Sequence, residues 1–494
     1  MTRLSRRYPC GVPRPRLVIA ALVLALVPVT AQAQDLPRGG TSASLESTLG
    51  TVPARITGSG LLTQARVAHL IAKRAAAITL PTARGEIALD TDGTVLWQHS
   101  AARALMPAST MKIITATVAL ERLGAGWRPR TTVRYDSATS TLTLVGGGDP
   151  QLTTAQLRTL AQATVETLTA MSVTPARLTI DDSLFPAPTL QAGVPASEIP
   201  TEERPVRALV VDGQRVRDSG LAAGKVFRGL LAAQGLDLPF AGRATFVPAP
   251  PSGSDTGTQG TGTQDTSTPS GITQQSGGQQ ASAQASPGAA SAAATDSASA
   301  TVDTTTARTI ASVAGYTLRS TLQRMLLVSD NDIAEMLFRM SSLAAGRSAD
   351  WADARTTAIE TLGTIGIDTS AIHLVDGSGL SRDNRLTATV LAQVLRTDLT
   401  RPRTAVLPTL LPTAGRTGTL WYRYTTAPSK CVRGRLHAKT GSLEDVVTLA
   451  GYAPAPAGQY RPFAILINGV QQNEFVRWKT RLAIDTVAAA IGGC

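Results

Sequence analysis

The sequence predicts an α/β domain carrying a long insertion, and three observations lead there. Helix-patterned segments lie near both ends of the chain. A run of strand-like segments precedes the last of them. Between the two halves stand a stretch of different texture and a low-complexity segment. With 494 residues, 43% of them hydrophobic, the chain can build two or three cores.

The first 33 residues read as an export signal. Arg3, Arg6, Arg7, Arg14 and Arg16 form a basic start, Leu17 to Thr30 an apolar run, and "AQAQ" an A-x-A site ending at Ala33. An uncleaved membrane anchor is the alternative, because the apolar run approaches spanning length. "SRRY" is too weak a twin-arginine pattern to name an export route. The signal holds five positive and no negative charges, so +7 of the formal +12 stays with the remainder. That balance suits loose association with acidic cell-wall polymers or a membrane surface. Nucleic acid is disfavoured as a partner, since the arginines are scattered and aromatics make up only 4%. Cys10 leaves with the signal. Cys431 and Cys494 remain, an even pair in an oxidising compartment, and are expected to form a disulfide; two buried free thiols are the alternative.

Residues 34–126 are assigned to the first part of the main domain. Here "LLTQARVAHLIAKRAAAI" (61–78) has the helical period, and "GEIALDTDGTVLWQHS" reads as a hairpin turning at Asp92-Gly93. "PASTMKIITATVALERLG" is a helix opened by Pro107 and closed near Gly124. Residues 127–249 change to short Thr/Val/Leu runs with glycine breaks and are assigned to an inserted accessory module, with "GGGDP" as a turn. From Pro250 to Thr306 the composition collapses to Ser, Thr, Gly, Gln, Ala and Pro, a disordered linker. Residues 307–494 form the second part. They hold two helices broken at Ser329-Asp330-Asn331, a strand through "GRLHAKTGSL", two strands joined by a Pro/Gly turn, and the amphipathic helix "NEFVRWKTRLAIDTVAAAI". No internal repeat is visible, and nothing signals an oligomeric state.

The chemistry begins with lysine scarcity. The chain has six lysines against 41 arginines, yet Lys112 stands three residues after Ser109 at a helix start. That spacing puts both side chains on one face. A serine hydroxyl needs a base to take its proton; arginine cannot serve, whereas a lysine with a lowered pKa can. Free N–H groups at the helix start suit a developing oxyanion. Alone the pair is weak, since an exposed lysine on a core helix is the common case. Ser329-Asp330-Asn331 between helices and Lys439-Thr440-Gly441 in a strand, followed by Ser442, change the odds. By themselves they read as a capping turn and a strand end; three such motifs in order are hard to obtain by chance.

This trio is the set shared by penicillin-binding proteins and class A β-lactamases. Together with "GGGDPQL" (146–152), "DGSGLSR" (376–382), "LPTAGRTGTL" (411–420) and "HAKTGSL" (437–443), the chain resembles the class C low-molecular-mass penicillin-binding proteins, which are D-alanyl-D-alanine carboxypeptidases and endopeptidases. The 220 residues between Ser109 and Ser329 leave room for the module, which a compact β-lactamase lacks. The resemblance implies a penicillin-binding/β-lactamase-like transpeptidase domain, with an antiparallel sheet flanked by helices. It implies a secreted enzyme acting on peptidoglycan stem peptides ending in D-Ala-D-Ala and covalently inhibited by β-lactams.

Roles follow from the resemblance position by position. Ser109 would attack the penultimate D-Ala carbonyl and Lys112 would take its proton, with a pKa lowered partly by Lys439. Ser329 would relay a proton to the leaving amine, and Asn331 would hydrogen-bond the substrate backbone. Lys439, Thr440 and Ser442 would line the opposite wall and hold the terminal carboxylate. Gly441 would spare the substrate strand a clash. The N–H groups of Ser109 and Ser442 would form the oxyanion hole. No metal or other cofactor is signalled. His437, two residues before Lys439, is a lining residue at most, and His69, His99 and His373 read as structural. "DGSGLSR" is either a tight loop close to the site or an ordinary turn. Two rivals stand beside this reading: a β-lactamase or esterase on the same fold, and a non-catalytic wall-binding scaffold.

Overall fold

The computed structural model describes residues 64–76, 83–199, 201–244 and 307–494, all within one unit spanning 60–494. The expected export signal and low-complexity linker lie outside the described residues.

Two sheets organise these residues. Before the first sheet comes helix α1 (Gln64–Ala76), followed by the hairpin β1 (Ala83–Leu89) and β2 (Val95–His99) and then α2 (Met111–Leu123). Next come β3 (Arg130–Asp136), β4 (Thr141–Val145), α3 (Thr154–Ala170), β5 (Arg177–Asp181), α4 (Ser219–Ala232), β6 (Phe240–Arg243) and β7 (Ala307–Ala314). Five helices follow: α5 (Leu318–Val328), α6 (Asn331–Ala344), α7 (Trp351–Thr364), α8 (Ala388–Thr400) and the single turn α9 (Leu407–Leu410). Strands β8 (His437–Leu443), β9 (Val446–Pro454) and β10 (Tyr460–Asn468) and helix α10 (Glu474–Ile491) complete the chain.

The first sheet runs β2-β1-β10-β9-β8, antiparallel throughout. Its central strands are buried on both faces, and their residues alternate between two cores as the pleat requires. Along β10, Phe463, Ile465 and Ile467 join the cluster under α1 and α10, while Ala464 and Leu466 join the larger cluster around α2, α6 and α8. Each of the larger of these side chains, such as Phe463 or Leu466, contributes about 1.5–3 kcal/mol by leaving water. The antiparallel sheet flanked by helices is thus present as expected.

The second sheet runs β6-β5-β4-β3-β7 and is mixed: β3 pairs antiparallel with β4 and β7, whereas β4, β5 and β6 are parallel. Helices α3 and α4 cover it and close a third core. One expected boundary moves here. β7 opens the stretch assigned to the second part of the main domain, yet it pairs with β3 of the module, Arg130 opposite Ala314. Strand pairing ignores sequence distance, so the composition change at 307 did not reveal it.

Helix α2 is the axis of the larger core. All ten residues from Met111 to Leu120 are buried, and α5, α6, α7 and α8 pack around it. A helix buried on every side cannot shift without opening a cavity, so its first turn is a rigid platform. Among the described residues, no helix is long and apolar enough to cross a membrane.

Cys431 and Cys494 are disulfide-bonded, which ties the end of α10 to the turn Ser429–Val432. The bridge closes a loop over a sequence separation of 63 residues. Replacing both cysteines by serine should lower unfolding stability by about 2–4 kcal/mol in denaturant titrations. Alkylation of the unfolded, unreduced protein should leave both residues unmodified; labelling of either would contradict the bridge.

Candidate active site

Ser109 lies in one turn of 3₁₀ helix, Ala108–Thr110, that runs directly into α2. Ala108 has φ +46°, a conformation that costs an L-residue about 1–3 kcal/mol, and it is completely buried. The turn is held from three sides. Thr110 Oγ1 donates to the Pro107 carbonyl at 2.6 Å, and Thr448 Oγ1 from β9 donates to the same oxygen at 2.9 Å. Gly379 presses on the third side, where a Cβ would lie 2.0 Å from the Ala108 carbonyl oxygen.

Lys112 is one helical turn on and wholly buried. Its Nζ lies 3.1 Å from Ser109 Oγ and donates to Asn331 Oδ1 at 2.6 Å and to the Ser378 carbonyl at 2.8 Å. Burial lowers its pKa from 10.5 to about 8, while Glu335, Asp376, Asp330 and Glu203 pull it back up. At pH 7 roughly one amine in ten is therefore free to accept a proton. Burial is the largest cause of that shift. Lys439 is itself pushed well below its usual range by burial and then by Lys112.

The other motifs converge on the same place. Ser329 ends α5 in the left-handed conformation, and Asp330 caps α6 by accepting from Ile333 N at 3.1 Å. This tight break points Ser329 at β8, where Lys439 Nζ donates to its Oγ at 2.9 Å and to the Thr440 carbonyl at 2.8 Å. Asn331 uses both ends of its amide, Oδ1 on Lys112 and Nδ2 donating to the Glu202 carbonyl at 3.0 Å. In this state it positions Lys112 and keeps one N–H of its amide uncommitted.

A cleft of about 490 Å³ opens above these groups. Ser109, Ser329, Asn331, Thr440 and Ser442 line it. Lys112, Lys439 and Gly441 do not: both amines lie under its surface. Lys439 is thus beneath the wall that it was expected to line. The expected reason for Gly441 also changes, because a Cβ there would meet Thr448 Oγ1 at 2.1 Å and the Pro107 carbonyl at 2.9 Å. Glycine lets β8 close onto the serine turn. His437 does not line the cleft either: Nδ1 is 3.1 Å from Thr413 Oγ1 and the ring packs edge-on against Tyr460. Tyr422, Arg423 and Arg477 form a further stretch of cleft wall that the motifs did not signal.

The "DGSGLSR" loop proves to be part of the site. Asp376 accepts from Gly379 N and Ser381 N at 2.7 and 2.6 Å and from Asn384 Nδ2 at 2.7 Å. Glu335, one turn beyond Asn331 on α6, accepts from the Gly377 and Ser378 N–H groups at 2.9 and 2.7 Å. Together they aim the Ser378 carbonyl at Lys112. Burial raises Glu335 to about 8 and raises Asp376 and Glu203 as well; Asp376 adds to the shift of Glu335, and both add to that of Glu203. A carboxyl buried in the apolar face of α6 was the one sequence signal that could have revealed this cluster.

The model of the D-Ala-D-Ala carboxypeptidase 3 (S13) family matches residues 67–225 and 285–491. Carboxypeptidase DacB of Mycolicibacterium smegmatis is 28% identical over 510 aligned residues, covering 97% of each chain. The D-alanyl-D-alanine carboxypeptidase of Actinomadura sp. strain R39 is 29% identical over 464, covering 85% of this chain and 84% of its own. The crystal structure of penicillin binding protein 4 from Haemophilus influenzae superposes with a TM-score of 0.62 at 18% identity, covering 85% of this chain and 97% of that one, and shows a common fold.

The buried carboxyls predict a pH signature. Glu335 is raised from 4.5 to about 8, so between those values the folded protein holds a proton that the unfolded chain has lost. Lowering the pH from 8 to 5 should therefore stabilise the fold through this group. In urea titrations the advantage of wild type over Glu335→Gln should grow as the pH falls; parallel profiles would mean that Glu335 titrates normally.

Proposed function

The chain belongs to the D-Ala-D-Ala carboxypeptidase 3 (S13) family, and on that premise we propose that it is an exported serine D-alanyl-D-alanine carboxypeptidase working through an acyl-enzyme on Ser109. One observation carries this reading: an amine whose pKa burial lowers to about 8 lies 3.1 Å from the Ser109 hydroxyl at the floor of the cleft. The substrates are peptidoglycan stem peptides ending in D-Ala-D-Ala, and β-lactams acylate the same serine.

Ser109 Oγ attacks the carbonyl of the penultimate D-Ala as its proton passes to Lys112. The N–H groups of Ser109 and Ser442 stabilise the oxyanion; the strained turn at Ala108 supports this by fixing how the Ser109 N–H points. Ser329, bonded to Lys439, relays a proton to the departing amine. The amine leaves as D-Ala, the acyl group stays on Ser109, and water then hydrolyses the ester with Lys112 as base.

Intact mass after exposure to a fluorescent penicillin should show one adduct on wild type and none on Ser109→Ala; a folded wild type without an adduct would overturn the reading. The acylation rate should rise about tenfold per pH unit below pH 8 and level above it, following the free amine of Lys112. Lys112→Arg should lose at least about a hundredfold, because a guanidinium stays protonated.

A further inference from the structure

We propose that the segment 411–436 and helix α10 together form a surface that docks the protein on an anionic lipid bilayer. The surface is separate from the catalytic chemistry and does not depend on the carboxypeptidase reading.

Nine large hydrophobic side chains are exposed among the described residues, and five of them belong to these two segments. On α10, Phe475 (58% exposed), Trp478 (49%) and Leu482 (40%) recur at three and four residues and form one stripe. The other face of the helix, with Ile484, Val487 and Ile491, is buried in the core that it shares with β10. The stripe is therefore a second apolar face, exposed beside the first. The rings of Phe475 and Trp478 stack at 6.0 Å. On the neighbouring segment, Trp421 (65%) and Tyr422 (60%) meet edge-on at 5.8 Å. Large rings gathered in water in this way mark a contact surface.

The charge around these rings has one sign. Residues 411–436 hold five basic residues and no acidic one. Of the five, Arg416, Lys430, Arg433 and Arg435 are exposed. On α10 stand Arg477, Lys479 and Arg481, and the Lys479 ammonium lies 4.4 Å from the centre of the Phe475 ring. The two acidic groups of this helix are already matched: Arg481 holds Glu474 at 3.2 Å, and Arg423 holds Asp485 at 2.6 Å. The Arg423–Asp485 pair and the Cys431–Cys494 bridge also pin the segment to the helix, so rings and cations are presented together.

A bilayer interface fits both halves of this pattern. Tryptophan and tyrosine rings settle at headgroup level, apolar side chains reach the acyl boundary, and lysine and arginine meet anionic phosphates. A soluble polyanion would use the cations and leave the rings in water. A second copy of the chain, docked symmetrically, would bring like charges together. Tyr422, Arg477 and Arg481 also line the cleft, so docking sets its mouth beside the bilayer.

The test is flotation with phosphatidylcholine vesicles, with and without phosphatidylglycerol. It uses the chain from Gln34 onward, so that the apolar run 17–30 takes no part. Wild type should bind the anionic vesicles at least about tenfold more tightly and release them as salt rises. Trp478→Ser combined with Leu482→Ser should weaken that binding about tenfold or more, with an unfolding midpoint near wild type. Wild type also answers alone: brominated acyl chains should quench its tryptophan fluorescence, and Trp478→Phe should remove part of the quenching. No binding to anionic vesicles, or binding without quenching, overturns the proposal. Binding to polyphosphate without quenching by brominated lipid would assign the cations to a wall polymer. A dimer in sedimentation that Trp478→Ser dissolves would assign the stripe to a second copy. Either result overturns the bilayer.

Discussion

Removing the Lys112 amine from water is the constraint on which the site depends. An ammonium has no place in a dry interior unless it is paired or gives up its proton, and α2, enclosed by four helices, keeps that interior dry. The surroundings answer with balance. Enough carboxyl groups lie near to keep the amine from losing its proton altogether. Their own burial pushes each of them toward its neutral form. A fully ionised trio would lock Lys112 as a cation, and an apolar pocket would depress it further. The amine is held between those limits, where it can take a proton and return it.

Backbone carries as much of this design as side chains do. The Ser378 carbonyl and the Asn331 amide fix the Lys112 amine from two directions, while Gly379 and Gly441 allow two further segments to close onto the serine turn. The strain at Ala108 is offset by that packing. Lys439 works in the same way from below, holding Ser329 rather than meeting the cleft.

The three motifs were legible in the sequence because their chemistry depends on residues adjacent in the chain. The hairpin at Asp92-Gly93, the helix from Pro107 to Gly124 and the break at Ser329 could be read for the same reason: local conformation dictates them. What could not be read depends on distant segments meeting. Glu203, Glu335 and Asp376 come from three separate segments, and burial and their closeness in the fold give them their properties. β7 looked like part of the following domain because nothing local names a strand's partner. Arg477 fitted the polar face of an amphipathic helix, and periodicity cannot tell a solvent-facing arginine from one facing a cleft.

The pairing of β3 with β7 makes the segment between them a cassette in one sense only. The chain goes in and comes out zipped together: Arg319 N donates to the Ala125 carbonyl, Leu318 N to that of Trp127, Gly315 N to that of Pro129, and the strands continue the ladder. Excision there would leave two ends about 5 Å apart, a gap a short turn could span. Yet the cassette carries polar partners that the rest of the molecule does not replace. The Glu202 carbonyl holds the Asn331 amide, and Arg204 covers Asp332, with its backbone N–H at 3.0 Å and its guanidinium at 3.2 Å. Cutting it out would preserve the path of the chain while exposing a bare carboxylate and an untethered amide beside Lys112. Removing this segment would thus call for compensating changes at the base of α6.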